Sequence, residues 1–206
     1  MMDASKTLFI DIDTQNDFCR GAGSLYVPAA PVEAFRRLAA LAVKRGIPIV
    51  GSVDAHEFDD AEFETFPAHC VKGTWGQMKI DGTVPKRSRF VPLSTSNRLV
   101  GYPLRGCQAM FFEKVTFSIF DNPSAARLLE AHKDHTFVVY GVATDYCVKA
   151  AVLGLCELGA KVVVVSDAIA GVTPETTATA TTEMKVAGVQ FVTEAELTEA
   201  LAAEAA

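Results

Sequence analysis

TFVVYGVATDYCVKAAVLGLCELGAKVVVVSD, residues 136–167, changes its hydrophobic period twice. It opens on a β-branched and aromatic run, carries Val148, Ala151, Val152 and Leu155 at helical spacing, and closes on the apolar run AKVVVVSD. Strand, helix and strand in that order, with both strands apolar almost throughout, indicate parallel strands buried on both faces. The alternation extends outward from this stretch. TLFIDI, IPIVGSV, QAMFFEKV and VQFVTE read as further strands. PVEAFRRLAALAVKRG, SAARLLEAHKD and TTATATTEMKVAG read as helices between them, with a last Ala-rich helix after Glu194. The predicted fold class is α/β, three layers in α/β/α order around a central, mostly parallel sheet, with residues 1–206 forming a single domain.

Residues 57–106 break the pattern. They are rich in Gly, Pro, Ser and Thr, show little periodicity, and are too long for an idle connection. Their Phe, Trp and His content marks a functional loop rather than a disordered one, and the KRSR cluster at 86–89 reads as a solvated part of it.

The chain is 50% hydrophobic and 21% charged, a balance that excludes intrinsic disorder. A net charge of -6 argues against a nucleic-acid binder. No apolar run reaches the roughly 18 residues of a membrane span, and MMDASKTLFIDID lacks a basic start followed by a long apolar stretch. A soluble, cytoplasmic protein is expected, with neither membrane nor nucleic acid as partner. The five cysteines, at 19, 70, 107, 147 and 156, are odd in number and widely spaced, as reduced thiols are.

In an open parallel sheet, ligands bind outside the carboxyl ends of the strands. Asp13 follows TLFIDI, Asp54 and His56 follow IPIVGSV, Lys114 closes QAMFFE, and Cys147 follows TFVVYGVAT. Any one of these is ordinary turn chemistry, but an acid, a D-x-H pair, a lysine and a thiol on separate strands form a site-like set. In the first turn of a helix, Cys147 faces unpaired N–H groups and the positive end of the dipole, which favour thiolate. The plain alternative is a buried free cysteine.

A nucleophilic thiol needs a base. His132 and His135 precede the strand leading to Cys147, so about seven residues at ~3.3 Å each put them ~20 Å away. His56 and His69 are better employed beside Asp54. That leaves Asp13 as base and Lys114 as the cation favouring thiolate and oxyanion, a snorkelling strand-end lysine being the other reading of Lys114. Asp54 and His56, two apart, face the same side of an extended chain. With His69 and Glu62 they make an oxygen and imidazole set suited to one divalent ion, Zn, Mn or Fe. A pair of solvated turn residues is the other reading of D-x-H.

DTQNDFCRGAGSL (13–25), VDAHEFDDAEF (53–63), FPAHCVKGTWG (66–76), FEKVTFSIF (112–120) and GVATDYCV (141–148) together resemble the nicotinamidase branch of the isochorismatase-like cysteine hydrolases, in that family's order. The resemblance implies a catalytic triad of Asp13, Lys114 and Cys147. It implies metal ligation by Asp54, His56, Glu62 and His69, with Glu62 standing where some relatives carry His. Phe18 and Phe66 match the rings that sandwich a pyridine, Phe66 standing where some members have Trp. The resemblance also implies a cis peptide bond before Ala143, whose N–H would join that of Cys147 in an oxyanion hole. The implied activity is hydrolysis of nicotinamide to nicotinate and ammonia through a cysteine thioester, as in NAD salvage. One divalent metal ion, zinc ahead of manganese or iron, would bind the ring nitrogen, and a homo-oligomer is expected. A related cysteine amidase acting on another small amide or carbamoyl compound uses the same triad and stays open. A non-catalytic, zinc-dependent oligomer is the rival from another class. Isochorismatase itself lacks this thiol and metal set.

Overall fold

The computed structural model describes residues 2–94, 104 and 106–202. Within the long segment at 57–106, positions 95–103 and 105 lie outside the described residues. Among the described residues, seven strands form one sheet in the order β3-β4-β2-β1-β5-β6-β7. They are β1 (Thr7–Ile12), β2 (Ile49–Asp54), β3 (Ser88–Val91), β4 (Ala109–Lys114), β5 (Thr136–Val142), β6 (Lys161–Ala170) and β7 (Gln190–Val192). Every neighbouring pair is parallel. The helices are α1 (Asn16–Cys19), α2 (Val32–Arg45), α3 (Pro123–Ala131), α4 (Lys149–Glu157), α5 (Pro174–Val186) and α6 (Glu194–Ala202).

Period-2 alternation sends Phe9 of β1 to one face of the sheet and Leu8, Ile10 and Ile12 to the other. Both faces are covered, which is why the strands read as unbroken apolar runs. On the first face lie α2, through Phe35 and Leu38, and α6, through Leu197 and Leu201. On the second lie α3, α4 and α5, through Leu129, Val152 and Met184. Burying each such Leu, Val or Met side chain contributes about 1.5–3 kcal/mol. The layers are therefore those expected of the α/β/α class, with the sheet wholly parallel.

Two local departures have physical causes. Ser88 and Arg89 of the KRSR cluster, read from sequence as solvated loop, begin the edge strand β3, paired with Ala109 and Met110 of β4. An edge strand pairs on one side only, and here Arg89 and Phe90 are exposed and Val91 alone is buried, so no apolar run announces it. Strand β6 runs on past AKVVVVSD to Ala170, because the β5–β6 register shifts between Val139 and Gly141 and pairing resumes at Ile169. At Gly141 φ is +128°, and a Cβ there would lie 2.0 Å from the Ile12 carbonyl oxygen, so only glycine lets β5 pass β1 this closely. Among the described residues, no helix is long and apolar enough to cross a membrane.

Candidate active site

The strand order β4-β2-β1-β5 brings four carboxyl ends side by side. Register makes Asp54 and Lys114 direct partners on β2 and β4. Lys114 is wholly buried, which removes the snorkelling reading. Its Nζ lies 2.8 Å from Asp13 Oδ2 and 3.5 Å from Cys147 Sγ, donates to the Thr116 carbonyl at 2.9 Å, and makes a short contact with Asp54 Oδ1. Asp13, just past β1, has φ +48°, a left-handed conformation that Asp tolerates better than most side chains. Its Oδ1 accepts from the Ser52 hydroxyl at 2.7 Å. The donor atoms of Asp13, Asp54 and Cys147 all lie within 4.8 Å of one another.

The protonation states follow from burial and charge. Burial pulls Lys114 down, but the Asp13 and Asp54 carboxylates outweigh it and hold the ammonium well above the ordinary lysine range. Burial pushes the Cys147 thiol well up, and of its neighbours Lys114 opposes that shift while Asp13 and Asp54 reinforce it. Burial thus opposes the thiolate that a helix N-terminus favours. Cys147 sits in a π-helical turn, Thr144–Val148, ahead of α4, where desolvation exceeds the pull of the nearby cation.

Asp54, His56 and His69 are all buried and offer donor atoms within 4.8 Å of one another, which removes the reading of D-x-H as solvated turn residues. His69 Nε2 is 3.9 Å from Asp54 Oδ2. The other ring nitrogen, Nδ1, lies 2.8 Å from the Pro67 carbonyl, which places the proton there and leaves the Nε2 lone pair toward the cluster. Burial holds His69 below the usual histidine range. Nε2 of the fully buried His56 has no hydrogen-bond partner among the described residues. Glu62 stands outside the close group of three, its Oε2 at 3.9 Å from that nitrogen. An orphaned buried imidazole nitrogen, a second neutral imidazole and carboxylate oxygens fit a borderline divalent ion such as zinc.

A cavity of ≈ 210 Å³ opens onto both groups. Phe18, Phe66, Ala143 and Cys147 line it, as do Asp54, Glu62 and His69. The peptide bond between Val142 and Ala143 is cis. Phe117 and Tyr146 also line the wall, and sequence reading missed both. Phe66 meets each of them edge-to-face, with centroids 6.3 and 6.2 Å away, and the two rings themselves pack tilted at 5.2 Å. The available signal was position, Phe117 three residues after Lys114 and Tyr146 next to Cys147. His132 caps the C-terminus of α3 and His135 precedes β5, so both lie at the far edge of the sheet.

Three buried groups that hold the site were also missed. Ser52, the polar residue inside an otherwise apolar strand, orients Asp13 as described. Gln15 ties three segments together through its amide. Its Nε2 donates to the carbonyls of Asp54 and Gln77, both at 2.8 Å, and its Oε1 accepts from the Asp54 N–H at 2.8 Å. Asp17 accepts from the Cys70 N–H at 2.7 Å and the Ser24 N–H at 3.1 Å. The His69 segment closes over it where Gly76 leaves no room for a Cβ, which would fall 1.9 Å from Asp17 Oδ2.

Residues 7–196 match the isochorismatase domain family. The nicotinamidase of Escherichia coli is 30% identical over 213 residues, covering 90% of this chain and 93% of its own. An Arabidopsis thaliana chain named "Probable inactive nicotinamidase" is 27% identical over 95% of this chain and 96% of its own. Among solved structures, the pyrazinamidase of Pyrococcus horikoshii in complex with zinc is similar with a TM-score of 0.74 at 26% identity, covering 91% of this chain and 99% of that one.

Proposed function

The chain belongs to the isochorismatase family, and from that membership we propose that it is an amidohydrolase converting nicotinamide to nicotinate and ammonia through a cysteine thioester. One juxtaposition carries the reading. Cys147 Sγ lies 3.5 Å from Lys114 Nζ, itself 2.8 Å from Asp13 Oδ2, on a small cavity that Asp54, Glu62 and His69 also line. The similarity to the E. coli nicotinamidase and the P. horikoshii pyrazinamidase supports a small aromatic amide as substrate. So does the cavity, whose ≈ 210 Å³ falls below the ~300–1,000 Å³ of sites for drug-sized ligands.

In this mechanism Asp13 takes the Sγ proton as the sulfur of Cys147 attacks the amide carbon, forming the C–S bond while the carbonyl π pair moves to oxygen. The backbone N–H groups of Ala143 and Cys147 are assigned to that oxyanion, with the Lys114 ammonium adding positive charge beside it. Collapse breaks the C–N bond, and Asp13 returns the proton to nitrogen so that ammonia leaves. Asp13 then takes a proton from the water that attacks the thioester carbon and delivers it to sulfur as the C–S bond breaks. Phe18 and Phe66 hold the ring. Asp54, His56 and His69, with Glu62, would hold a divalent ion, which when bound supplies a Lewis-acid point for the ring nitrogen.

The experiment is ammonia release from nicotinamide by the purified, zinc-loaded protein, with Cys147→Ala alongside. Release by the parent protein and a loss of about 10³-fold or more in the variant support the proposal. Equal rates would end the role of Cys147. Release by neither discards nicotinamide, and a carbamoyl compound is then the amide to try. The complete set of Asp13, Lys114 and Cys147 argues against a non-catalytic protein.

A further inference from the structure

Asp60 belongs to neither the thiol group nor the cavity wall, yet its carboxylate meets the site from behind. We propose that Asp60 is a positioning residue for His56, setting which imidazole nitrogen faces the metal-ligand cluster and coupling that ring to the turn that carries Glu62. The inference rests on reading Asp54, His56, His69 and Glu62 as a metal site.

The geometry is a closed loop of contacts. Asp60 Oδ2 lies 3.0 Å from His56 Nδ1. Its other oxygen, Oδ1, accepts from the Glu62 N–H at 3.0 Å, capping the 3-10 turn Ala61–Glu64. The side chain of Glu62 returns to the same ring from the opposite side, Oε2 standing 3.9 Å from His56 Nε2. One carboxylate therefore addresses the back of a ligand ring and the backbone of a second ligand. Phe63, on the same turn, packs its ring against His56 at 5.3 Å and His69 at 5.7 Å between centroids.

A bare imidazole lone pair aimed at a carboxylate is repelled, whereas an N–H is attracted. With Asp60 at Nδ1 the proton belongs on that nitrogen, and the lone pair is left on Nε2. The approach at Nδ1 lacks the alignment of a directed hydrogen bond, so the hold is electrostatic and Phe63 supplies the steric part. His69 solves the same problem differently, setting Nδ1 against the neutral Pro67 carbonyl.

The test is zinc affinity of the full chain, stripped of metal and titrated against a chromophoric chelator. Asp60→Ala should weaken zinc binding by about 10- to 100-fold. Asp60→Asn, which keeps an acceptor for the Glu62 N–H but no charge, should fall between Asp60→Ala and the parent, and Asp60→Glu should recover part of the loss. A residue that only capped the turn would act through Glu62, so the decisive arm repeats Asp60→Ala in a Glu62→Ala background. A further loss there supports the proposal, and no further loss overturns it. Parental zinc affinity in Asp60→Ala overturns this inference and leaves the proposed activity standing. A parent protein with no zinc affinity overturns both.

Discussion

Asp54 and Lys114 are register partners on adjacent parallel strands, and their buried side chains join Cys147 to the imidazole cluster. Asp54 Oδ1 contacts Lys114, while Oδ2 lies 3.9 Å from His69 Nε2. Lys114 in turn reaches Asp13 and Cys147. A backbone pairing therefore fixes the relation between two chemical groups whose residues are scattered along the chain.

The first prediction concerns that cation. Lys114→Met leaves Asp13 and Asp54 buried together without their countercharge. Removing one partner of a buried pair costs about 3–5 kcal/mol, and denaturant unfolding should show a loss of that size. Nicotinamide turnover should fall by about 10³-fold or more in the variant molecules that remain folded. A variant as stable and as active as the parent contradicts both roles.

Ser52→Ala removes the donor to Asp13 Oδ1 and nothing that lines the cavity. An unpaired buried acceptor costs about 1–3 kcal/mol, and a base freed from its orienting contact transfers protons less well. The expected result is a drop of about tenfold in kcat with KM nearly unchanged. A rise in KM at constant kcat would place Ser52 in substrate binding instead.

Phe66 touches Phe117 and Tyr146 edge-on, and all three line the cavity. Phe66→Ala removes an apolar wall worth about 1.5–3 kcal/mol of burial, so KM should rise by about 10- to 100-fold while kcat changes little. Equal losses in kcat and kcat/KM would mean that the ring acts in the transition state alone.

Much of this arrangement was legible in the sequence, for definite reasons. Strands β1, β2, β4 and β5 are buried on both faces, so each is an apolar run, and Asp13, Asp54, Lys114 and Cys147 stand out at or just beyond their ends. What the sequence hid depends on tertiary placement. Asp60 looks like one more acid in an acidic loop until His56 is found 3.0 Å away. Gln15 matters through carbonyls at 54 and 77, which no spacing rule connects. The surroundings of the Cys147 thiol were hidden too, because the burial and the two neighbouring carboxylates that push it up are tertiary facts.

Metal removal separates two of the three candidate ion sites among the described residues, the third being His56 with Asp60 and Glu62. Asp54 belongs to the group with His56 and His69 and also to the group with Asp13 and Cys147. If the ion sits among the imidazoles, a chelator should abolish turnover, and zinc, manganese or iron should restore it. A ligand bound only to the folded state raises its stability by about 2.7 kcal/mol at a hundred times Kd, so zinc should also raise Tm. Cys147→Ala should keep that zinc-dependent rise in full, because its thiol is no part of the imidazole group, and His56→Ala should lose it. The reverse pattern, with the rise lost in Cys147→Ala and kept in His56→Ala, would move the ion onto the thiol. A thiol so occupied is no longer a free nucleophile, and the thioester mechanism would fall with it.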